Sequence, residues 1–148
     1  MIKTILSAAL LAASFSTPIL AQDIEFLASD KHKASGLPFS EAVRVGDILF
    51  LSGQVGTDAS GKLVSGGIQA EAEQILKNID DVVTRFGSDK NHIFKCLVML
   101  KDISEWPAFN EVYVKYFDGN KPARSAFAGS GLALGAVVEV ECMATVKK

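Results

Sequence analysis

The chain has 148 residues, just under half of them apolar, and a net charge of −2. That length holds one domain with a core of its own, and no second domain is needed to bury the apolar content. Mild acidity without a basic cluster argues against a nucleic-acid surface, and the two cysteines lack the close spacing of a metal site.

The first residues, MIKTILSAALLAASFSTPILAQ, place Lys3 ahead of an uncharged apolar run from Ile5 to Phe15, then Pro18 and the small Ala21. This is the pattern of a secretory signal peptide cleaved after Ala21. The run is shorter than the ~20 residues that span a bilayer, so no membrane anchor is expected after cleavage. Residues 22–148 are then one exported domain, periplasmic or secreted, and slightly more acidic once Lys3 is gone.

In the mature chain, Ile24 to Leu27 reads as a short strand, and ASDKHKASG as a polar loop carrying His32. EAVRV and ILFLSGQV flank Gly46-Asp47, the pattern of a β-hairpin with a two-residue connection. Its second strand ends on Ser52-Gly53-Gln54, where a glycine lets a ligand approach the backbone. A glycine-rich loop follows. From Ile68 to Phe86 apolar residues recur every three or four positions, one face of an amphipathic helix that Gly87 stops.

His92 lies among polar neighbours, where a solvated side chain is expected. IFKCLVMLKD reads as a strand buried on at least one face. In SEWPAFNEVYVKYF, Pro107 suits a first helical turn, and Trp106, Phe109, Val112, Tyr113, Tyr116 and Phe117 form a helical stripe read as core. Cys96 and Cys142 both fall in strands. Two separate buried hydrophobes are expected there, although export would permit a disulfide if those strands were neighbours.

The last segment is PARSAFAGSGLALGAVVEVE. Its glycines do not make a phosphate loop, because the spacing is wrong and a strand follows where a helix N-terminus is needed. Alternation along VVEVECMATV puts Val138, Val140, Cys142, Ala144 and Val146 on one face, and Glu139, Glu141, Met143 and Thr145 on the other. The apolar set belongs beneath the helices. Glu139 and Glu141 then point away from them, either into solvent or toward a partner. Arg124 heads the preceding segment and would approach Glu139 if the last two strands formed a hairpin. A planar guanidinium suits two parallel hydrogen bonds to a carboxylate, whether that of a ligand or of one of these glutamates. The whole order suggests an α+β fold, a mixed sheet with two helices on one face.

PARSAFAGSGLALGAVVEVE resembles the carboxy-terminal signature of the RidA (YjgF) family of enamine/imine deaminases; FLSGQ, FNEVYVKYF and the order of elements are also similar. The resemblance covers nearly all of residues 36 to 147. It implies a chorismate-mutase-like α+β fold that assembles as a homotrimeric barrel, with sites in clefts between subunits. It also implies that Arg124 grips the substrate carboxylate, that Glu139 holds and activates water, and that Ser52 and Asn110 line the cleft. Two positions depart from the family pattern. Phe39 follows Pro38 where a tyrosine is common, and Ala126 stands where the signature often has cysteine, so both changes make the pocket less polar.

The chemistry expected of such a site is hydrolysis of an enamine or imine, a 2-aminoacrylate or 2-imino acid, to a 2-keto acid and ammonia. Arg124 would position the carboxylate and Glu139 would act as general base. No metal or organic cofactor is required. Substrates outside the cytoplasm would be imino acids from flavin-dependent amino-acid oxidation or periplasmic pyridoxal-phosphate chemistry. Two other classes stay open. One is a non-catalytic binder of small carboxylates using the same arginine, which the Phe39 and Ala126 departures favour. The other is the ribonuclease or translation-inhibitor role of some relatives, which an acidic chain without a basic groove disfavours.

Overall fold

The computed structural model describes residues 22–148, so the signal peptide expected over residues 1–21 lies outside the described residues. Strand β1 (Ile24–Leu27) leads into a short helix α1 (Asp30–Ser35), and the chain returns as β2 (Ala42–Val45) antiparallel to β1. The loop expected over ASDKHKASG is therefore a helix. Ser29 caps it by accepting the His32 N–H at 3.2 Å, and Gly36, at φ 68°, closes its other end. None of its residues is buried, so it carries no apolar period that a sequence pattern could register.

The expected hairpin pairs β2 with β3 (Ile48–Leu51) around Gly46-Asp47. Gly46 takes φ 58°, as the first central residue of a type II′ turn does. Past Ser52-Gly53 the chain resumes as β4 (Gln54–Val55), and both β3 and β4 lie along β7 (Val138–Thr145). Helix α2 (Gly67–Arg85), strand β5 (Ile93–Leu100), helix α3 (Trp106–Tyr116) and strand β6 (Ala123–Ala128) fall where the sequence places them.

These strands form one sheet in the order β1-β2-β3-β7-β5-β6. The pair β5–β6 is parallel and every other pair is antiparallel. α2 and α3 cover one face. Ala72, Ile75, Ile79 and Val83 of α2 and Phe109 and Tyr113 of α3 are almost wholly buried against Leu49, Val98, Leu100, Val138, Val140 and Ala144 of the sheet. The mixed α+β sheet with two principal helices on one face is thus observed. The stripe on α3 is core as expected, with Trp106 and Tyr116 partly buried at its margin.

One condition raised by the sequence is not met, and one expectation is corrected. The last two strands do not form a hairpin, because β5 lies between β6 and β7. The cysteines are not separate hydrophobes, because Cys96 and Cys142 form a disulfide. Antiparallel register sets them directly opposite one another on β5 and β7, with Cα atoms 4.1 Å apart and both side chains on the buried face. The bond closes a separation of 46 residues, and constraining the unfolded chain over such a loop contributes about 2–4 kcal/mol. The double variant Cys96→Ala/Cys142→Ala is expected to lose about that much in denaturant unfolding. Reductant should bring the wild type toward the variant's level and leave the variant unchanged.

Candidate functional site

Arg124 lies on β6, the sheet edge farthest from β1, where Pro122 has turned the chain into an extended conformation. It pairs with Cys96 and so shares the face beneath the helices. There its guanidinium carbon sits 4.6 Å from the ring centroid of Tyr113, 5.6 Å from Trp106 and 5.9 Å from Phe109. Three rings from α3 hold the cation through their faces, an attraction that strengthens as water is excluded. Among the described residues, Arg124 takes part in no ion pair.

Two buried side-chain oxygens beside it, Asn110 Oδ1 and Tyr113 Oη, have no hydrogen-bond partner among the described residues. Orphaned buried polar atoms are uncommon, and here both belong to residues lining the same pocket as Arg124. That pocket, of about 360 Å³, is completed by Val114, Lys121 and Pro122. The guanidinium, the lysine and the Tyr113 hydroxyl can donate to a small anion, while Asn110 Oδ1 can accept from a ligand N–H or O–H. Burial raises the Tyr113 hydroxyl's pKa and the Arg124 charge opposes the rise, so the phenol stays neutral and able to donate.

Glu139 lies elsewhere. It projects from β7 on the opposite, open face, paired with Val55 and Met99. Its carboxylate Oε1 rests against the α-carbon of Gly53, and a methyl group at position 53 would collide with it. The glycine that interrupts β3 and β4 is what gives this carboxylate its seat. Burial, and after it the charge of Glu141 two residues along the same face, push the Glu139 carboxyl above its ordinary value of 4.5.

Beside Gly53, Ser52 donates its hydroxyl to the Ser40 carbonyl at 2.7 Å. Both serines line a second pocket, of about 540 Å³, whose other walls are Phe26, Leu37, Pro38, Phe39 and Val43. Of the residues expected in one cleft, the chain groups Arg124 with Asn110 and Ser52 with Phe39, while Glu139 meets Gly53, the residue after Ser52. Ala126 shares Arg124's strand, packs against the core and lines neither pocket. The two groups lie on opposite faces of the sheet with β5 between their strands. The space expected beside Gly53 for a ligand is taken by the Glu139 carboxylate, and Tyr113 and Trp106, expected only as core, adjoin the guanidinium. The aromatic stripe signalled core, and only the unmet Tyr113 hydroxyl and the guanidinium above the ring mark it as part of the site.

The α+β sheet, covered on one face, thus carries a guanidinium pocket at its edge and a seated carboxylate on its bare face. The family model described as Endoribonuclease L-PSP matches residues 30–146. A mouse protein named 2-iminobutanoate/2-iminopropanoate deaminase is 40% identical over 119 residues, 80% of this chain and 88% of that one. The crystal structure of RidA from an Antarctic Psychrobacter species superposes with a TM-score of 0.75 at 34% identity, covering 82% of this chain and 99% of that one. Escherichia coli TdcF with bound serine superposes at 0.71 and 27% identity, covering 75% and 90%. The chain belongs to the RidA (YjgF) family.

The raised Glu139 pKa has a thermodynamic sign. The folded state holds this proton more tightly than the unfolded state, so ionising Glu139 disfavours folding as pH rises through the folded value. Glu139→Gln removes that penalty. The variant is expected to melt above the wild type at pH ~7 and level with it at pH ~4, where the wild-type carboxyl is also neutral. Equal melting at both values would show that the carboxylate carries no such penalty.

Proposed function

We propose that this protein hydrolyses 2-imino acids, and the enamines that tautomerise to them, to 2-keto acids and ammonia at sites shared between neighbouring copies. The observation that carries the reading is the division of the site. An unpaired guanidinium beside two unmet oxygens occupies one face, and a carboxylate of raised pKa occupies the other. Each half lacks what the other supplies, and a homotrimer of the family kind would join them. The relatives named as imine deaminases and the serine held by TdcF support a small amino-acid-derived ligand.

Arg124 would take the substrate carboxylate by two parallel N–H···O bonds, with the Tyr113 hydroxyl as a further donor. Glu139 of the neighbouring copy would accept a proton from water as the water oxygen bonds to the imine carbon, and the C=N electron pair moves to nitrogen. The proton then passes from Glu139 to that nitrogen, giving a carbinolamine; Glu139 next takes the carbinolamine hydroxyl proton and delivers it to the nitrogen, so that the C–N bond breaks, ammonia leaves and the C=O bond of the keto acid forms. Positioning converts the encounter into an effectively unimolecular step, and the raised carboxyl pKa makes Glu139 a stronger base than an exposed glutamate. The Cys96–Cys142 bond supports work in an oxidising compartment such as the periplasm.

The alternative, a small-carboxylate binder without turnover, draws on Phe39 and Ala126, which offer no hydroxyl or thiol. Imines generated in situ by an amino-acid oxidase, with semicarbazide trapping the survivors, separate the two. Wild type should diminish the trapped imine and Arg124→Ala should not; equal trapping across side chains of all sizes would leave the binder.

The division of the site makes a further prediction. Arg124→Ala and Glu139→Gln are each expected to be inactive, and their mixture after subunit exchange should recover roughly a quarter of wild-type activity, since random assembly restores one site in about four. No recovery, with exchange confirmed by mass, would place both groups' function within one copy. Glu141→Gln should shift the acid limb of the wild-type pH–rate profile to lower pH, because it removes one of the two causes that raise Glu139.

A further inference from the structure

The pocket of about 540 Å³ beside Glu139 has a composition that the deaminase reading does not require. Five of its walls are apolar, and Leu37 and Phe39 remain about half exposed while Phe26 is 75% exposed. Its Ser52 hydroxyl is already committed to the Ser40 carbonyl, and no charged side chain lines it. The pocket's side-chain walls are therefore mainly apolar and carry no charge.

Its position ties it to the reacting atoms. Ser52 lies in its wall, and the next residue, Gly53, seats the Glu139 carboxylate. Phe26, Val43 and Phe50 form a cross-strand row that reaches Met143 on the face that carries Glu139. An imine carbon above Glu139, with its carboxylate held by a neighbouring Arg124, has one substituent left to direct: its side chain.

The wall is also held in place. The Phe39 carbonyl lies 2.6 Å from His32 Nε2, and the His32 ring meets the Phe39 ring edge-on at 5.2 Å. The helix bearing His32 is fastened at its start, where Glu41 accepts the Ser29 N–H at 2.6 Å while also pairing with Arg85 at 3.0 Å. Phe39 is thus a fixed surface between a capped helix and strand β2.

Resting on the proposed deaminase reading, we infer that this pocket receives the substrate side chain and that the protein acts on 2-imino acids with large apolar side chains, branched, thioether or aromatic, in preference to methyl or ethyl ones. The volume lies within the range of small-molecule sites, and a methyl group would leave most of it to water. Burial of a leucine- or phenylalanine-sized side chain corresponds to roughly a ten- to hundredfold gain in kcat/KM. A source reaction must then release imino acids from bulky apolar amino acids, as a broad amino-acid oxidase does.

The test measures kcat/KM of the purified protein for imines made from alanine, leucine, methionine and phenylalanine. Binding of pyruvate, 4-methyl-2-oxopentanoate and phenylpyruvate is measured beside it by calorimetry. The expected result is at least a roughly tenfold preference for the larger imines. Leu37→Ser and Phe26→Ser, both at exposed positions, should bring the leucine-to-alanine ratio toward one, mainly through KM. Turnover that favours the alanine-derived imine, or a preference that survives both substitutions, overturns the inference and leaves the deaminase reading standing. If no imine is consumed, the deaminase reading fails, and the keto acids decide the pocket: tighter binding of the larger ones that Leu37→Ser abolishes supports it, and equal binding overturns it.

Discussion

Strand β7 runs through the middle of the sheet and obeys a period of two along its whole length. Val138, Val140, Cys142 and Ala144 are buried, and the residues between them are not. Because β3, β4 and β5 all pair with it, this alternation sets which side of each neighbour faces the helices. The core and the position of Glu139 are two results of one register. A slip by one residue would bury the glutamates under α2 and α3 and expose the valines. The hydrophobic face therefore holds the Glu139 carboxylate on the bare side of the sheet.

The electrostatics run against stability at both half-sites. Glu139 is partly desolvated beside a like charge, and Arg124 is surrounded by rings rather than acids. Cation–π contacts offset part of the desolvation, at about 0.5–2 kcal/mol for such a contact. Under the proposed function, a substrate carboxylate at Arg124 would relieve the remaining cost. Groups poised in this way are costly to fold and useful to function.

The long helices, the early hairpin and the face assignments along β7 were legible because each is a local periodicity, read from residues within one or two turns of one another. α1 was not legible, since a helix with no buried residue has no apolar period; only Ser29 and Gly36 marked its ends. The strand order was not legible either, because periodicity says which face a residue takes and not which neighbour it has. That gap hid both the disulfide and the separation of Arg124 from Glu139. Once β5 stands between β6 and β7, Cys96 meets Cys142 and the two polar residues fall on different faces. The residue types at the site were readable in Arg124, Glu139, Asn110 and Ser52. Their division into two groups was a property of topology.

That topology also bears on how the chain comes into being. β7 is the last of these strands to leave the ribosome, yet it fills the centre of the sheet. Until it arrives, β1–β3 and the β5–α3–β6 unit are two separate ribbons with bare edges toward the gap, and neither can bury its apolar face against a complete partner. The complete sheet therefore cannot close during synthesis before residues 138–145 have emerged. This order of synthesis is compatible with the proposed export, because a sheet that lacks its central strand has no complete core to fold around.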